Sequence, residues 1–450
     1  MRTTVEHEQK LEAPAGWELP PLEGEELEPR VFTSVYHDTP DRSLARAGIT
    51  LRRRTERGKS VWQLKLPGDD ARLELEEPGG PGGPPEPLAV LLRAHVRRSA
   101  VAPIAELRTR RHGQLVDGAE VTIDEVKVMD AQRVLSEFSE IEVEGEPSSV
   151  RTIAKRLQKA GATAVDLTPK VLRAMPLPKR KAPRTPYETF CAMLREQLDA
   201  ILANDPGVRL GGDDENVHKM RVGTRRARAL LRAAAPLYTG DVQMLSLELK
   251  WLAGVLGEVR DLDVLLAQLS AEADELAAAD AAAAQRLLRT LARSRSRVRR
   301  ELLKALDGQR YAALLDRFEE TVAALEPSAD KTSLAALAND ELKKLRRDAK
   351  ALGDDAEDGQ LHALRKRGKK VRYAFELAGD TTVVKRAKEL QDVLGAHQDG
   401  VVAEERLRAL AADAPAEQAV AAGLLIAAEQ RRRADARTAW RTTWKALDRA

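Results

Sequence analysis

Six segments in the first 145 residues alternate apolar with charged or polar side chains, a pattern that predicts β-strands with one apolar face and one charged face. The earliest segment reads Glu-x-Glu-x-Lys, so Glu6, Glu8 and Lys10 lie on one side of an extended chain. A strand face that only meets water looks the same, so this segment alone does not identify a site. The repetition of the pattern in the other segments is what constrains the fold.

The charged faces of these segments carry acidic and basic residues in similar numbers. If the sheet closes with these faces inward, it encloses a tunnel whose carboxylates suit a divalent cation and whose bases suit phosphate. The apolar faces then pack outward against helices, such as the amphipathic run from Val150 to about Ala160. The predicted lining consists of the acids Glu6, Glu8, Glu74, Glu76, Asp124, Glu140, Glu142 and Glu144 and the bases Lys10, Arg52, Arg54, Lys65, Arg72, Arg108 and Arg110.

Composition limits the class of protein. A chain of 450 residues is long enough for two or three domains, and a hydrophobic content of 43% is sufficient for their cores. The net charge is only +3 although 32% of the residues are charged, so an electrostatic function depends on local segregation of charge. The single cysteine, Cys191, excludes an internal disulfide and a cysteine-based zinc site. No apolar run approaches the ~20 residues of a membrane span and no signal-peptide core is evident, which predicts a soluble, cytoplasmic protein.

Two proline-rich stretches divide the chain. Residues 78–85 read Pro-Gly-Gly-Pro-Gly-Gly-Pro-Pro, which cannot continue a strand or a helix and predicts a surface loop inside the first domain. Residues 176–186 predict a stiff basic linker. Beyond the linker, apolar residues recur at intervals of three and four to the C-terminus, which predicts a nearly all-helical second domain.

The helical part contains an internal repeat. Val-His-Lys-Met-Arg at 217–221 is echoed by Leu-His-Ala-Leu-Arg at 361–365, 144 positions later. Leu-Gly-Glu-Val-Arg-Asp at 256–261 is echoed by Leu-Gly-Ala-His-Gln-Asp at 394–399, at an offset of 138. The repetition predicts two homologous helical bundles in tandem, with halves at about 187–307 and 308–450.

Each copy of the repeat carries a stripe of basic residues on one helix face. Residues 219–232 and residues 362–372 each contain six Lys or Arg and no acid. Because like charges one turn apart repel each other, this arrangement predicts a polyanionic ligand, with a solvated face or acids on a neighbouring helix as alternatives. The stripes lack interleaved aromatic residues, and aromatics make up only 3% of the chain, so nucleic acid is a poor candidate. The stripes consist of His218, Arg221, Arg225 and Arg228, and of His362, Arg365, Lys369 and Arg372.

Five motifs in the first 175 residues resemble the CYTH superfamily, the triphosphate tunnel metalloenzymes. They are, in order, Glu-x-Glu-x-Lys at 6–10, Tyr-His-Asp-Thr-Pro at 36–40, Leu-Arg-Arg-Arg at 51–54, Trp-Gln-Leu-Lys at 62–65 and Glu-Ile-Glu-Val-Glu at 140–144. The resemblance implies an eight-stranded antiparallel tunnel that binds a triphosphate and, in most members, hydrolyses it with Mg²⁺ or Mn²⁺. The sequence departs from the family pattern at His37, which stands in an aromatic position, and at Thr168-Pro169-Lys170, where Ser-Lys is usual.

The helical part resembles the CHAD domain family through the two basic stripes and the histidine that opens each of them. The resemblance implies two four-helix bundles related by pseudo-twofold symmetry, with a central basic groove that binds inorganic polyphosphate. Lys250 and Lys388, each seven residues before the glycine of a Leu-Gly motif, are further candidate groove cations. A CYTH domain followed by a CHAD domain is a known pairing.

These observations predict an α+β protein with a CYTH tunnel domain at 1–175, the linker at 176–186 and an all-α domain of two tandem four-helix bundles at 187–450. The predicted function is metal-dependent hydrolysis of inorganic triphosphate, or of polyphosphate ends, with polyphosphate bound by the helical domain. A non-catalytic polyphosphate-binding scaffold remains an alternative, as does an organic substrate such as thiamine triphosphate or ATP. Association with polyphosphate granules in the cytoplasm is a further expectation.

The resemblance also implies roles for individual tunnel residues. Those expected to hold triphosphate oxygens are Arg52, Arg54, Lys65, Arg108, Arg110 and Lys170. Those expected to coordinate Mg²⁺ or Mn²⁺ are Glu6, Glu8, Asp124, Glu140, Glu142 and Glu144. Those expected to take part in catalysis are Glu6, Glu8, Lys10 and Lys65.

Overall fold

The structure, a computed structural model, describes residues 1–14, 16–68, 71–178, 180–329, 333–353 and 355–450. The chain forms two compact units, Met1–Lys181 and Ala182–Ala450. The division lies inside the predicted linker, of which Lys179 is outside the described residues. No helix in these ranges is long and apolar enough to span a bilayer.

One antiparallel sheet forms the framework of the first unit. Its strands are β1 (Arg2–Glu6), β2 (Glu8–Glu12), β3 (Glu25–Glu26), β4 (Arg30–Asp38), β5 (Thr50–Glu56), β6 (Lys59–Leu66), β7 (Arg72–Pro78), β8 (Ala102–Val116), β9 (Ala119–Asp130), β10 (Arg133–Glu144) and β11 (Thr163–Val165). Its helices are α1 (Ser43–Arg46), α2 (Glu86–Val96), α3 (Pro147–Lys159) and α4 (Lys170–Ala174).

The chain itself closes this sheet into a tunnel. The strand order is β1-β7-β6-β5-β4-β8-β9-β10-β2-β11, with β3 paired to β8. β1 and β2 therefore lie near opposite ends of the order, although only His7 separates them in the chain. If β1 and β2 are counted as one strand interrupted at His7, eight long strands surround the tunnel, beside the short β3 and β11. The predicted antiparallel tunnel is confirmed.

The apolar faces of the strands point outward, where helix α3 covers part of them. Val150, Ile153 and Leu157 recur at helical spacing along α3, and each is buried. They form one core with Leu11 of β2 and with apolar residues of β9 and β10. Burial of each large aliphatic side chain contributes roughly 1.5–3 kcal/mol. The inner face is thereby left to the charged residues, as the alternation predicts.

The Tyr-His-Asp-Thr segment at the end of β4 has a structural role. Asp38 is buried and its carboxylate accepts hydrogen bonds from the backbone N–H groups of Thr39, Leu44 and Ala45, at 2.7–3.0 Å. These contacts anchor the turn that begins α1. His37, in the family's aromatic position, packs its ring against Trp62 with 4.6 Å between ring centroids. His37, which replaces the aromatic residue usual in the family, therefore still makes a contact between two rings.

The second unit consists of helices in the ranges that the structure describes, together with a short strand pair, β12 (Tyr238–Thr239) and β13 (Glu326–Pro327). This confirms the predicted all-helical region. The helices are α5 (Pro186–Leu210), α6 (Asp214–Ala233), α7 (Gln243–Asp274), α8 (Ala278–Asp307), α9 (Gln309–Ala324), α10 (Leu334–Lys350), α11 (Asp358–Ala378), α12 (Thr381–Ala411) and α13 (Ala416–Asp448).

The helices pack as two related sets. α5 to α8 pack in sequence, as do α10 to α13, so the repeat pairs α6 with α11 and α7 with α12. α9 packs against α5, α7 and α8 through a face that includes Leu314, Leu315 and Phe318. The predicted division at 307/308 assigned this helix to the second half, whereas the structure places it with the first. The difference arises because α9 lies between the two copies and has no counterpart in the repeat.

Truncation of Ile153 should expose how strongly the first unit depends on α3. Ile153 is fully buried, so Ile153→Ala removes apolar contacts and leaves a cavity, with an expected loss of about 2–5 kcal/mol in the free energy of unfolding. The exposed neighbour Arg151 provides the control, since Arg151→Ala should change stability by less than about 0.5 kcal/mol. Denaturant unfolding of the full chain, followed by circular dichroism, measures both. Equal effects of the two substitutions would contradict this packing.

Candidate active site and basic groove

The inner face of the closed sheet surrounds a cavity of about 380 Å³. Its lining is charged or polar at nearly every position. The predicted residues that line it are Glu6, Glu8, Lys10, Arg52, Arg54, Lys65, Arg72, Glu74, Glu76, Glu142, Glu144 and Lys170, and unpredicted ones include Arg2, Arg30, Arg111 and Glu120.

The Glu-x-Glu-x-Lys motif is divided between two strands at the point where the sheet closes. Glu6 ends β1 and lies opposite Arg72 of β7, whereas Glu8 begins β2 and lies opposite Glu144 of β10. The N–H of Gly145 donates to the carbonyl oxygen of His7 at 3.2 Å, which ties the junction to β10. The motif thus places Glu6 on β1 and Glu8 on β2, the two strands that meet at His7.

Three glutamates form a row across adjacent strands. Glu8 lies opposite Glu144, and Glu144 lies opposite Glu120 of β9. Burial raises the pKa of Glu144, and the charges of Glu142 and Glu8 raise it further against the opposing charge of Lys65. Like charges opposite each other destabilise a sheet, and a divalent cation bound between them relieves the repulsion. Glu120 was not predicted, although it shares a strand face with Thr122 and Asp124 in the alternating pattern.

A second acidic group is buried deeper in the wall. Asp124, Glu140 and Glu142 are each at most 8% exposed, and one oxygen from each lies within 4.8 Å of the others, a geometry that could hold a metal ion. The chain supplies its own cations to the same oxygens. Lys10 Nζ lies 2.8 Å from Glu142 and 3.0 Å from Glu140. Lys170 Nζ lies 2.6–3.0 Å from all three carboxylates.

The ion pairs of this group fix its protonation. Burial alone would lower the pKa of Lys170, but the carboxylates of Glu142 and Asp124 raise it above its ordinary value. Burial alone would raise the pKa of Glu142, but Lys170, Lys10 and Arg111 hold it well below its ordinary range. Lys170 and Glu142 therefore carry their charges at neutral pH. Lys170, whose Thr-Pro-Lys context differs from the usual Ser-Lys of the family, therefore lies in the wall of the cavity.

Lys65 of β6 contacts two further carboxylates, those of Glu6 on β1 and Glu74 on β7. Its Nζ lies 2.6 Å from Glu6 Oε2 and 3.2 Å from Glu74 Oε2. Burial and the hydrogen bond with Glu74 raise the pKa of Glu6 to about 8. Burial opposes ionisation of Glu74 as well, but its contacts with Glu6 and Lys65 leave its pKa below the ordinary value. Glu6 therefore holds a proton that can be exchanged near neutral pH.

The opposite part of the lining is basic. Arg52 donates to Gln63 Oε1 at 2.7 Å and to the Tyr36 hydroxyl at 3.2 Å. The guanidinium of Arg54 lies 3.8 Å from the centre of the Phe32 ring. Burial, followed by the charges of Arg52 and Arg30, lowers the pKa of Arg54 to about 10. Glu56 offsets part of this repulsion, because its carboxylate contacts Arg54 at 2.8 Å and Arg30 at 2.7 Å.

Strand β8 contributes Arg111 to the cavity instead of the predicted Arg108 and Arg110. Arg111 lies opposite Asp124 and contacts its carboxylate and that of Glu142 at 2.6 Å. Arg108 and Arg110 are exposed on the outer face of the strand. Residues 107–111 read Leu-Arg-Thr-Arg-Arg, so both faces of the strand carry basic residues. An alternation of period two cannot decide which face turns inward in such a sequence.

In the second unit, α6 and α11 line a cavity of about 480 Å³ that we call the basic groove. Predicted stripe residues that line it are Arg225, Arg228, His362 and Lys369. The groove also receives Arg232, Lys366, Lys370, Tyr373 and Glu341. Of the other predicted residues, Lys250 and Lys388 are exposed, and His218, Arg221, Arg365 and Arg372 stand outside this lining.

The Leu-Gly motifs explain where two of the remaining stripe residues lie. A Cβ placed on Gly257 of α7 would meet the guanidinium of Arg221 at 3.5 Å, and one on Gly395 of α12 would meet Arg365 at 3.0 Å. Each glycine therefore leaves room for the stripe arginine of the neighbouring helix. Arg221 also pairs with Asp261, the aspartate of the first Leu-Gly motif, at 3.0 Å. In each half, the arginine of the basic stripe therefore packs against the glycine of the Leu-Gly motif on the neighbouring helix.

The groove weakens the protonation of its own bases. Burial, followed by the charges of Arg225, Arg365 and Arg372, lowers the pKa of Lys369 to about 7. Burial, followed by the charges of Lys366 and Arg365, lowers the pKa of His362. A bound anion would reverse both effects, because it favours the charged forms. The groove is thus electrostatically suited to an anionic ligand.

Comparisons with known proteins match both units. The CYTH domain family matches residues 2–171 and the CHAD domain family matches residues 192–408. Two uncharacterised proteins of Mycobacterium tuberculosis, MT2285 and Rv2226, are each 34% identical over 443 residues, with 88% of this chain and 86% of each relative covered.

Solved structures match the helical unit. The CHAD domain of the plant Ricinus communis is similar with a TM-score of 0.50 and 29% identity, over 59% of this chain and 93% of that one. PptA from Streptomyces chartreusis is similar with a TM-score of 0.50 and 23% identity, over 58% of this chain and 99% of that one. The likeness to PptA shows a shared fold.

Arg111 and Arg110 provide a test of which face of β8 is structural. Arg111→Met leaves Asp124 and Glu142 without one of their buried partners, so the free energy of unfolding should fall by about 3 kcal/mol at pH 7. Arg110, paired at 3.6 Å with Glu125 on the exposed face, is the control, and Arg110→Met should cost under about 0.5 kcal/mol.

The effect of Arg111→Met should also depend on pH. The native pKa of Glu142 is depressed, so its ion pairs stabilise the fold above the ordinary value of 4.5 and lose that effect as pH falls through the native pKa. The difference between wild type and Arg111→Met should therefore be full at pH 7 and shrink as the carboxylates become protonated. Chemical unfolding across pH 3–7 measures it. A difference that grows on acidification would contradict the assignment.

Proposed function

Because the chain belongs to the CYTH family through its first domain and to the CHAD family through its second, we propose that it hydrolyses inorganic triphosphate or polyphosphate ends in the tunnel and binds polyphosphate in the basic groove. The observation that carries the proposal is the division of the tunnel lining into a basic part and an acidic part. A triphosphate needs the first for its oxygens, and a divalent cation needs the second.

The basic part of the tunnel would bind the phosphates. Arg52 and Arg54 present guanidinium groups, whose forked donors match phosphate oxygens, whereas the fork of Arg111 is engaged by Asp124 and Glu142. Phosphoryl transfer spreads negative charge over the equatorial oxygens of the transferred group, so preorganised cations stabilise the transition state. Lys65 and Arg30 line the same cavity and would add to this charge. Arg108 and Arg110, on the outer face, have no part in it.

The acidic part fits Mg²⁺ or Mn²⁺. The row of Glu8, Glu144 and Glu120 brings like charges together at the cavity, and carboxylate oxygens are the ligands these hard cations prefer. Asp124, Glu140 and Glu142 lie deeper in the wall, and lysines and Arg111 already neutralise their charges. We therefore assign them a structural role in the wall of the site. When bound, a divalent cation polarises phosphate oxygens and acidifies bound water.

Glu6 is suited to move a proton in this reaction. Its carboxyl group lines the cavity, is held by Lys65 and has a pKa of about 8, close to the range in which a general base works best. In the deprotonated form it would accept a proton from the attacking water. Lys65 would keep its carboxylate oriented throughout. Lys10 would act indirectly, by holding Glu142 in place.

The lining favours an inorganic over an organic triphosphate. Tyr36 is the aromatic residue that lines the tunnel in the part of the chain described, and it is 4% exposed and accepts a hydrogen bond from Arg52. Adenine and thiamine rings bind through stacking and apolar contact, which a charged lining does not offer. ATP and thiamine triphosphate are therefore weaker candidates than tripolyphosphate.

Phosphate release should depend on the glutamate row. With tripolyphosphate and Mg²⁺ or Mn²⁺, Glu8→Gln and Glu144→Gln should each lower kcat/KM by about 100-fold or more, because each removes a metal-ligand charge. Glu125, exposed on the outer face of the neighbouring strand β9, is the matched control, and Glu125→Gln should retain activity. Background-level release by wild type and all variants would refute the enzyme proposal and favour a binding scaffold.

Polyphosphate binding should distinguish the two motif glycines. Gly395→Ala places a methyl group 3.0 Å from Arg365 and must displace its guanidinium, so polyphosphate affinity should fall about three- to tenfold, the loss of roughly one charge-assisted contact. Gly257→Ala meets Arg221 at an ordinary 3.5 Å and should stay within about twofold. Titration calorimetry on the full chain measures both. Equal losses would show that Arg365 has no special part in binding.

A further inference from the structure

The pseudo-symmetry of the basic groove is broken at several positions, and one of them exchanges an arginine for a lysine. At the offset of 144, Arg225 of α6 corresponds to Lys369 of α11, and both line the groove. The neighbouring pair, Arg221 and Arg365, is arginine in both halves. The second half therefore carries an amine where the first carries a guanidinium. An amine can lose its proton and act as a nucleophile, whereas a guanidinium remains charged.

The surroundings of Lys369 favour the neutral amine. The cations that face it are Arg221 and Arg225 from α6 and Arg365 and Arg372 from α11, and burial and these charges lower its pKa to about 7. The acids near the groove are engaged elsewhere. Glu341 of α10 pairs with Lys344 at 2.6 Å, and burial raises the pKa of Asp399 of α12 against the opposing charge of Arg365.

Lys369 also differs from the lysines of the tunnel. Lys10, Lys65 and Lys170 each contact carboxylates at 3.0 Å or less. The described part of the chain offers no ion pair or hydrogen bond to the Lys369 ammonium. Its nitrogen is therefore free to react, in a cavity of about 480 Å³ large enough for a small reagent.

We propose that Lys369 is a modification site, acylated at Nζ by acyl phosphates that the basic groove attracts through their phosphate group. The attraction rests on the anion binding proposed for the groove, whereas the reactivity of the amine does not. An acyl phosphate combines a phosphate that these cations bind with a carbonyl carbon that a neutral amine attacks.

The reaction balances without any further reagent. The Nζ lone pair adds to the carbonyl carbon, and the bond from that carbon to the phosphate oxygen breaks. Inorganic phosphate leaves with the electron pair and takes up the proton that the nitrogen loses. Arg225, which lines the groove with Lys369, would stabilise the charge on the leaving phosphate, as guanidinium groups do for phosphate oxygens. The products are an amide at Lys369 and inorganic phosphate.

Acylation would change the groove. The amide cannot be protonated, so the groove loses the cation that a bound polyanion would otherwise recharge. We therefore expect the acylated protein to bind polyphosphate more weakly than the unmodified protein. Modification of one residue would thus regulate the second domain.

Acetyl phosphate provides the test. The full-length protein is incubated with it at pH 7.5, and acetylation of each lysine is followed by peptide mass spectrometry. Lys369 should react at least about tenfold faster than Lys366 and Lys370, which line the same groove but are exposed. With 4-nitrophenyl acetate, a neutral ester, this preference should be smaller, because the reagent carries no phosphate. Lys369→Arg keeps the charge but removes the amine, so it should abolish that label while Lys366 and Lys370 are still acetylated at the wild-type rate.

The outcomes separate this inference from the proposed function. Reaction of Lys369 no faster than Lys366 and Lys370 overturns the modification site. A preference that is equally large with the neutral ester overturns attraction by the groove. Tripolyphosphate should slow labelling of Lys369 by occupying the groove. Selective labelling without such protection would support the modification site and contradict polyphosphate binding there.

Discussion

Ion pairing inside the closed sheet is the interaction on which the first domain depends. A sheet that turns its charged faces inward buries carboxylates and ammonium groups, and each buried charge is costly unless it is paired. Lys10, Lys170 and Arg111 satisfy Asp124, Glu140 and Glu142 at distances of 3.2 Å or less. The strand register makes this possible, because Lys10 lies opposite Glu142 and Arg111 lies opposite Asp124. The buried charges therefore support the register as well as the site.

The same register brings three carboxylates together in another part of the wall. Glu8, Glu144 and Glu120 lie in one row, where Arg72 pairs with Glu8 at 3.1 Å and a divalent cation would offset the remaining repulsion. On the basic side, burial, followed by the charges of Arg52 and Arg30, lowers the pKa of Arg54 to about 10. These two unfavourable arrangements face a common cavity. A metal ion with a triphosphate would relieve both at once, which is why charge, more than shape, indicates the ligand.

The helical domain obtains its basic groove by a different means. A glycine in α7 and another in α12 allow a stripe arginine of the adjacent helix to lie against the backbone. This packing accommodates the basic stripe of each half, although like charges on one helix face repel each other. The two halves are not equivalent, because Lys369 replaces arginine and Arg365 lies closer to its glycine than Arg221 does. The closer glycine–arginine contact and the groove amine of Lys369 are thus both features of the second half.

The sequence by itself determined the alternating strands, the tunnel, the linker region and the helical repeat, because each depends on periodicity or on local composition. It also identified Glu6, Glu8, Lys10 and Lys65 as residues of one surface. Only the tertiary structure decided that Arg111 and not Arg108 or Arg110 enters the cavity, that Glu120 joins the glutamate row and that α9 packs with the first half. These outcomes depend on strand register and on contacts between segments distant in the chain, which a pattern with a period of two or 3.6 residues does not encode.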